Sequence, residues 1–333
     1  MTQQTDRSAT RTVDAVERVL QRHGHDGTRL MHILREVQDD LGWLSPQTIS
    51  AIAAGVGRPR AAVQSTAEFY SFFHVQPLGQ YRILFSDNIT DQMLGSHALR
   101  AQLCHRLGVA SGQVSADQLA SVDTTSCTGL CDQGPAALVN YRAIGRLDAQ
   151  RIDAIADLVL ARVPLDAWPA QLFEVEGRIR RSHVLLGADI AAGEPIAAAL
   201  RMGPERVLEA LAGARLRGRG GAGFGTDTKW RVCRAAPGFA HYVVGNADEG
   251  EPGTFKDRVL LSTHTDLILD GMVISGLVNG AQKGYVYLRG EYRFLYDRLV
   301  ARLVERRRQG LLGANILGTG FAFDIEVCLG AGA

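Results

Sequence analysis

Leu216-Arg-Gly-Arg-Gly-Gly-Ala-Gly-Phe-Gly-Thr-Asp-Thr-Lys-Trp230 and, shortly after it, Asn246-Ala-Asp-Glu-Gly-Glu-Pro-Gly-Thr-Phe-Lys-Asp-Arg258 decide how the rest of the chain is read. Gly218, Gly220, Gly221, Gly223 and Gly225 crowd into the first stretch. A backbone so poor in Cβ atoms reaches positive φ and comes close to a flat or anionic ligand. Lys229, just beyond, offers a phosphate a compact positive charge.

Two familiar readings of the glycine run fail. Gly218, Gly220 and Gly223 satisfy G-x-G-x-x-G, but a dinucleotide fingerprint follows a strand and opens a helix, whereas Val207 to Leu216 reads as helix. Gly220 and Gly225 have the phosphate-loop separation, yet Thr226 stands where that loop needs its lysine. The acidic stretch adds what the glycines lack. Tyr242-Val-Val-Gly245 is an apolar run ending in turn formers, which predicts a short strand delivering Asn246, Asp248, Glu249 and Glu251 to its C-terminal end. Open α/β sheets bind ligands outside those ends. Three carboxylates within four residues repel one another; a solvated acidic turn is the plain alternative.

Together the two stretches closely resemble the flavin- and NADH-binding subunit of the respiratory complex I family. The same motifs mark the diaphorase flavoproteins of NAD-reducing nickel-iron hydrogenases and NAD-dependent formate dehydrogenases. The resemblance implies FMN and NAD(H) as cofactors. It assigns their binding to Gly218, Arg219, Gly220, Gly221, Ala222, Gly223, Phe224, Lys229, Asn246, Asp248, Glu249 and Glu251. Phe224 would face the nicotinamide, and Glu251 would border NADH as the residue nearest the chemistry.

The chain has 333 residues, enough for two or three domains, and 46% of them are apolar. A net charge of +1 argues against a nucleic-acid partner. No apolar run approaches membrane length and the N-terminus lacks an apolar signal core, so membrane insertion is not expected and the cytoplasm is the default. Five cysteines without a secretory signal fit thiols or metal ligands better than disulfides.

Residues 1–75 read as a small helical bundle, with Val13, Val16 and Leu20 on one face and Leu30, Ile33, Leu34, Val37 and Leu41 on another. Pro46 and Pro59 stand where helices begin, Gly42 and Gly57 where they end. His23, His25, His32 and His74 are scattered without metal-ligand spacing. From 76 to 163 the period changes. Strands at Tyr81–Phe85, Ser121–Thr125 and Ala136–Tyr141, with helices at Ser96–Leu107 and Ala149–Arg162, predict a small α/β sandwich.

Those elements, with Ala67-Glu-Phe-Tyr-Ser-Phe-Phe73 and Ser126-Cys-Thr-Gly-Leu-Cys-Asp-Gln-Gly-Pro135, resemble the thioredoxin-like iron-sulfur subunit of complex I. That resemblance implies a [2Fe-2S] cluster on two cysteine pairs. Cys127 and Cys131 match the second pair. The place of the first reads Phe85-Ser-Asp-Asn-Ile-Thr-Asp-Gln92, without cysteine, and Cys104 falls mid-helix among leucines as a core residue. The expectation is a sandwich without a [2Fe-2S] cluster; a partly non-cysteine cluster is the alternative, with Cys127 and Cys131 as its residual metal ligands.

Residues 164–183 are proposed as a linker containing a strand near Phe173 to Ile179, and 184–333 as an α/β layered FMN/NADH-binding domain. Helices are expected at Glu194–Arg201, Pro204–Arg215, Thr265–Asn279 and Glu291–Arg308, and strands at Gly284–Leu288 and Phe323–Leu329. Arg306-Arg-Arg308 reads as a solvated helix end. Cys233 and Cys328 read as lone thiols in apolar surroundings. Gly330-Ala-Gly-Ala333 matches the start of a further family segment, GAGAY, so the sequence resembles the first half of the family protein; its [4Fe-4S] motif would lie beyond, and 1–333 alone would hold FMN weakly. The resemblance implies hydride exchange between nicotinamide and FMN, with electrons passed singly to clusters of an iron-sulfur diaphorase partner subunit and hydrogenase subunits. A formate dehydrogenase or complex I flavoprotein is the alternative, and a non-catalytic assembly module the one from another class.

Overall fold

The computed structural model describes residues 2–176, 186–187, 189–219 and 221–332, with side chains from residue 12 onward. Four helices come first: α1 (Thr2–Arg22), α2 (Leu30–Leu41), α3 (Pro46–Gly55) and α4 (Arg60–Phe69). The Ser45 side chain caps α3 with Pro46 at its first turn, and Gly42 ends α2 at φ 84°, a left-handed position suited to glycine. On α1 the buried face is Ala15, Val16, Val19 and Leu20; Val13 is exposed, because the stripe lies nearer one side of the helix than its first valine suggested. Ile33, Leu34 and Val37 of α2 complete this core with Leu44, Ile49 and Ile52.

A five-stranded sheet follows, built from β1 (Tyr81–Ser86), β2 (Gln113–Val114), β3 (Ala120–Thr125), β4 (Ala137–Val139) and β5 (Arg142–Ile144), in the order β2-β3-β1-β4-β5. Only β1 and β3 are parallel; α5 (Ile89–Met93) and α6 (Ser96–Leu107) link them. The expected strand at Ala136–Tyr141 is thus the first half of a hairpin, turning at Asn140 and Tyr141 with φ 46° and 67°. Tyr81, Ile83 and Phe85 face a core under α6 and α7 (Ala149–Leu160). Leu84 points the other way, packing with Phe72, Leu130, Leu138 and Ala143. Period-two alternation thus gives the sheet two buried faces.

The segment Ala170–Phe173 is a 3-10 turn and 174–176 are irregular, so no strand begins at Phe173; the rest of that expected strand lies outside the described residues. Beyond it come α8 (Glu194–Met202), α9 (Pro204–Gly213), α10 (Thr226–Ala235), β6 (Tyr242–Ala247), α11 (Lys256–Thr263), α12 (Thr265–Asn279), β7 (Lys283–Leu288), α13 (Tyr296–Arg308) and β8 (Asp324–Leu329). A 3-10 stretch, Gly290–Leu295, precedes α13, so the expected helix there begins later. Strands β6, β7 and β8 are parallel and in register, with Ala247, Leu288 and Leu329 aligned at their C-terminal ends. Val286, Leu288, Ile325 and Val327 pack with Met272 and Val273 of α12 and Leu299 and Leu303 of α13. Arg306 is buried, not solvated: α13 lays it against α12, where it pairs with Asp266 at 3.0 Å and with Asp270. Two carboxylates on the facing helix offset its desolvation.

His74, between bundle and sheet, loses hydration and lies near Arg82, which together depress its imidazole pKa from 6.5 to about 3. The folded state keeps the ring neutral while the unfolded chain takes up a proton. Its contribution to stability is therefore complete above pH 6.5 and is lost as the pH falls from 6.5 toward about 3. Over that window the unfolding free energy from denaturant titrations should fall more steeply in the native protein than in His74→Gln, by a difference on the order of 3 kcal/mol after allowing for partial exposure. Parallel slopes would remove His74 as the cause.

Candidate functional site

The glycine stretch folds as a tight loop that opens α10. Gly218 N–H donates to the Phe224 carbonyl at 2.9 Å, Thr226 N–H to Leu216 at 2.9 Å, and the Arg217 guanidinium reaches the Gly223 carbonyl at 3.2 Å. Between these closures Gly221 and Gly223 take φ of 109° and 61°, and a Cβ on either would project into open space. Arg219, Ala222 and Phe224 are exposed; Gly220 lies outside the described residues. No side chain caps α10, although Lys229 is exposed one turn in. Free amides at a helix start, a positive dipole end and a cation favour an anion such as a phosphate.

Strand β6 ends in the acidic turn, and here the four polar residues part company. Asn246, Asp248 and Glu251 are exposed, and the Asp248 N–H donates to Asn246 Oδ1 at 3.0 Å. Glu249 is 2% exposed and points inward. Its carboxylate accepts from Asp257 N–H at 2.9 Å and Arg258 N–H at 3.3 Å, so it caps α11. Tyr292 Oη donates to it at 2.9 Å and Lys256 Nζ lies at 3.4 Å. Burial, and then the Glu249 charge, push the Tyr292 phenol far up, so it stays a donor.

Beneath this turn lies a strut of buried arginines whose roles no local sequence pattern announced. Arg289, at the end of β7, donates to the Glu249 carbonyl and to the Cys127 carbonyl at 2.8 Å, while Glu291 pairs with it at 2.9 Å. Arg258 pairs with Asp132 at 2.5 Å and donates to the carbonyls of Gly129 and Glu176, each at 3.2 Å. Tyr292 sits so close to Gly129 that a Cβ there has no room. The Cys127–Gln133 loop is thus the floor under the acidic turn. Their one sequence signal is placement: Arg258 closes the acidic motif, and Arg289 and Glu291 follow an apolar strand.

Cys127 and Cys131 bring their sulfurs to 3.5 Å, and the loop after β1 reaches them from the side. Asn88 Nδ2 donates to Cys127 Sγ at 3.3 Å and to Ser86 Oγ at 2.7 Å, and also contacts Asp91. Asp91 accepts from Ala136 N–H at 2.8 Å, and burial raises its pKa. Ser86, Asn88 and Asp91 are all buried. A serine, an amide and a carboxylate committed to one another stand where two further thiolates would be needed, and such hard oxygen groups suit cluster iron poorly. Cys104 packs against the sheet core. Elsewhere, His32, Glu326 and Cys328 place ligand atoms within 4.8 Å of one another, a convergence that sequence spacing could not reveal; Lys283 and Arg29 flank Glu326 at 3.2 and 3.7 Å. Cys233 is a half-buried thiol.

Residues 16–159 match the thioredoxin-like [2Fe-2S] ferredoxin family and 211–333 the Nuo51 FMN-binding domain. The chain thus carries, in order, a segment similar to each of these two families. It is 40% identical over 328 residues to the alpha subunit of the NAD-reducing hydrogenase HoxS of Cupriavidus necator, covering 95% of this chain and 54% of that protein. It is 46% identical over 135 residues to an NADH-quinone oxidoreductase subunit of Aquifex aeolicus, covering 40% and 32%. A crystal structure of an NAD+-reducing [NiFe]-hydrogenase in the H2-reduced state superimposes with a TM-score of 0.84 at 38% identity, over 92% of this chain and 52% of that one. The chain spans about half the length of the two hydrogenase proteins it matches. Among the described residues no helix is long and apolar enough to cross a membrane.

Proposed function

We propose that this chain is the FMN- and NAD(H)-handling part of a diaphorase that serves a hydrogenase. The observation that carries the reading is the uncapped start of α10, with its open left-handed glycine loop, in the same α/β unit as the exposed Asn246, Asp248 and Glu251 at the end of β6. FMN, when bound, supplies hydride acceptance from nicotinamide and one-electron exchange with clusters. The loop amides of Gly221, Ala222 and Gly223, the start of α10 and Lys229 would hold its phosphate. Gly218 and Arg219 shape the loop's entry, and Gly220 completes the reading from sequence. Asn246 and Asp248 would bind polar ring or ribitol groups, while Phe224 offers an apolar face to the nicotinamide. The negative charge of Glu251 favours the nicotinamide cation over neutral NADH and disfavours an anionic neighbour. Glu249 positions the turn rather than touching ligand.

We read the chain as helical bundle 1–75, thioredoxin-like domain 76–163, linker 164–183 and flavin domain 184–333. A cytoplasmic setting, an iron-sulfur diaphorase partner and hydrogenase subunits belong to the same proposal. The fused N-terminal half favours the hydrogenase assignment over a complex I or formate dehydrogenase one, since the similarity to the hydrogenase alpha subunit runs along 95% of the chain.

The test is Gly223→Val in the full-length flavoprotein. A branched side chain at φ 61° strains the loop by about 1–2 kcal/mol and puts bulk into the open space where the ligand would lie. FMN affinity, followed by flavin fluorescence, should fall at least about tenfold, a loss near 1.4 kcal/mol, with an unchanged circular dichroism spectrum. Native affinity in that variant would remove the glycine loop from the site.

We also propose that the thioredoxin-like domain holds no [2Fe-2S] cluster, on the strength of the Ser86–Asn88–Asp91 network. Chain 1–333, reconstituted anaerobically with iron and sulfide, should retain no stoichiometric iron and give no rhombic paramagnetic signal after dithionite. About two irons per chain, lost in Cys127→Ser, would overturn this.

A further inference from the structure

We propose that Cys127 and Cys131 form a two-electron redox site, which low-molecular-weight disulfides convert to an intramolecular disulfide and whose state is passed to the acidic turn through Gly253. The inference rests on the reading above, in which these sulfurs are not cluster ligands and the turn handles a nucleotide.

The geometry is close to bonding. The sulfurs are 3.5 Å apart. A disulfide needs about 2.05 Å, so the gap to close is about 1.5 Å. Cys127 is fully buried, yet its sulfur accepts from Asn88 Nδ2 and from Gly129 N–H, each at 3.3 Å. Arg289 lies alongside, bonded to the Cys127 carbonyl at 2.8 Å. The groups facing the pair are otherwise Asp91, buried, and the exposed turn at Gly253. Hydrogen bonding from Cys131, opposed by burial and aided by Gly129, brings the Cys127 thiol down to about 6, while Cys131, which keeps the shared proton, is pushed up. Two sulfurs that share one proton beside an arginine are arranged for thiol-disulfide exchange.

Cys131 is partly exposed and is the sulfur an external disulfide RSSR can reach. Cys131 Sγ attacks one sulfur of RSSR as the shared proton passes to Cys127, forming a Cys131–SR bond as the S–S bond breaks and RS⁻ leaves. Cys127 Sγ then hands that proton to the first RS⁻ and attacks Cys131 Sγ, closing the internal disulfide and expelling the second RS⁻. The second RS⁻ takes its proton from water, which holds the one Cys127 had released. Two protein thiols are oxidised and one RSSR is reduced to two RSH.

The consequence reaches the site by one hydrogen bond. Gly253 N–H donates to Cys131 Sγ at 3.2 Å, two residues after Glu251. A disulfide sulfur is a poorer acceptor than one of a pair that shares a proton and a negative charge, and it sits closer to Cys127, so oxidation weakens the anchor that holds the Glu251–Gly253 turn against the cysteine loop. Reduction restores it.

Both cysteines fall in one tryptic peptide, 107–142, with Cys104 in its neighbour. Full-length protein purified under reductant is exposed to oxidised glutathione, denatured, alkylated and digested. Peptide 107–142 should carry no alkyl group and be lighter by two hydrogens. Cys127→Ser should instead retain one glutathione on Cys131, and Cys131→Ser should leave Cys127 alkylated without adduct. The oxidised native protein should show at least a doubling of the NADH KM, reversed by dithiothreitol and absent in Cys131→Ser. A doubly alkylated native peptide overturns the redox site, and an unchanged KM overturns its link to the turn. Iron at about two per chain on the same preparation would instead overturn the cluster-free reading, so the failures are told apart.

Discussion

Arg258→Ala should destabilise the protein by about 3–5 kcal/mol, the largest single loss expected from any side chain at this site. Arg258 is 1% exposed and its partner Asp132 is almost equally enclosed. Truncation strands a buried carboxylate and removes the donors to the carbonyls of Gly129 and Glu176. Leaving one member of a buried pair without the other is far worse than losing both. Arg258→Met combined with Asp132→Leu should therefore recover a large part of the loss. Arg258→Lys should recover little, because an ammonium cannot address three acceptors as a planar guanidinium does. Denaturant midpoints decide the matter: a loss under about 1 kcal/mol in Arg258→Ala would place this pair among ordinary surface bridges. The effect should also loosen the acidic turn, since Arg258 donates its amide to Glu249 while its side chain grips the cysteine loop.

How much of this was legible in the sequence depends on the range of the interaction. Strand β1 and helix α6 announce themselves by local composition, helix α12 by an apolar run of helical length, and the strand delivering Asn246 by an apolar run ending in turn formers. Glycine spacing predicted an open loop, and Gly221 and Gly223 do take left-handed φ. Long-range pairing left no such trace. Arg306 looked like a solvated cation because Asp266 and Asp270, which neutralise it, belong to another helix. Glu249 looked like its three neighbouring polar residues, yet the chain folds back as α11 and claims its carboxylate as a cap. Arg289 and Tyr292, more than thirty residues away in sequence, fix that carboxylate and the turn's backbone. His32 meets Glu326 and Cys328 only because α2 lies near β8, a fact of tertiary packing.

The division of labour inside the acidic turn gives the sharpest functional contrast. Glu251→Gln and Glu249→Gln remove the same charge two residues apart, yet they should fail in different ways. Glu251 is exposed, and its side chain has no partner among the described residues, so its loss should change stability by less than about 0.5 kcal/mol. If it borders the nicotinamide, the full-length flavoprotein should keep FMN while its NADH kcat/KM falls about tenfold, or about 1.4 kcal/mol of transition-state stabilisation. Glu249 is 2% exposed and accepts two backbone amides and a tyrosine hydroxyl. An amide offers one acceptor oxygen and an NH2 that faces those donors, so Glu249→Gln should cost about 2–4 kcal/mol of stability, with charge-assisted bonds and a helix cap lost together. Any fall in its activity should track the folded fraction and be reversed by stabilising co-solvent. A stable Glu249→Gln protein with a selectively raised NADH KM would exchange the two roles and make the buried carboxylate the one that meets substrate.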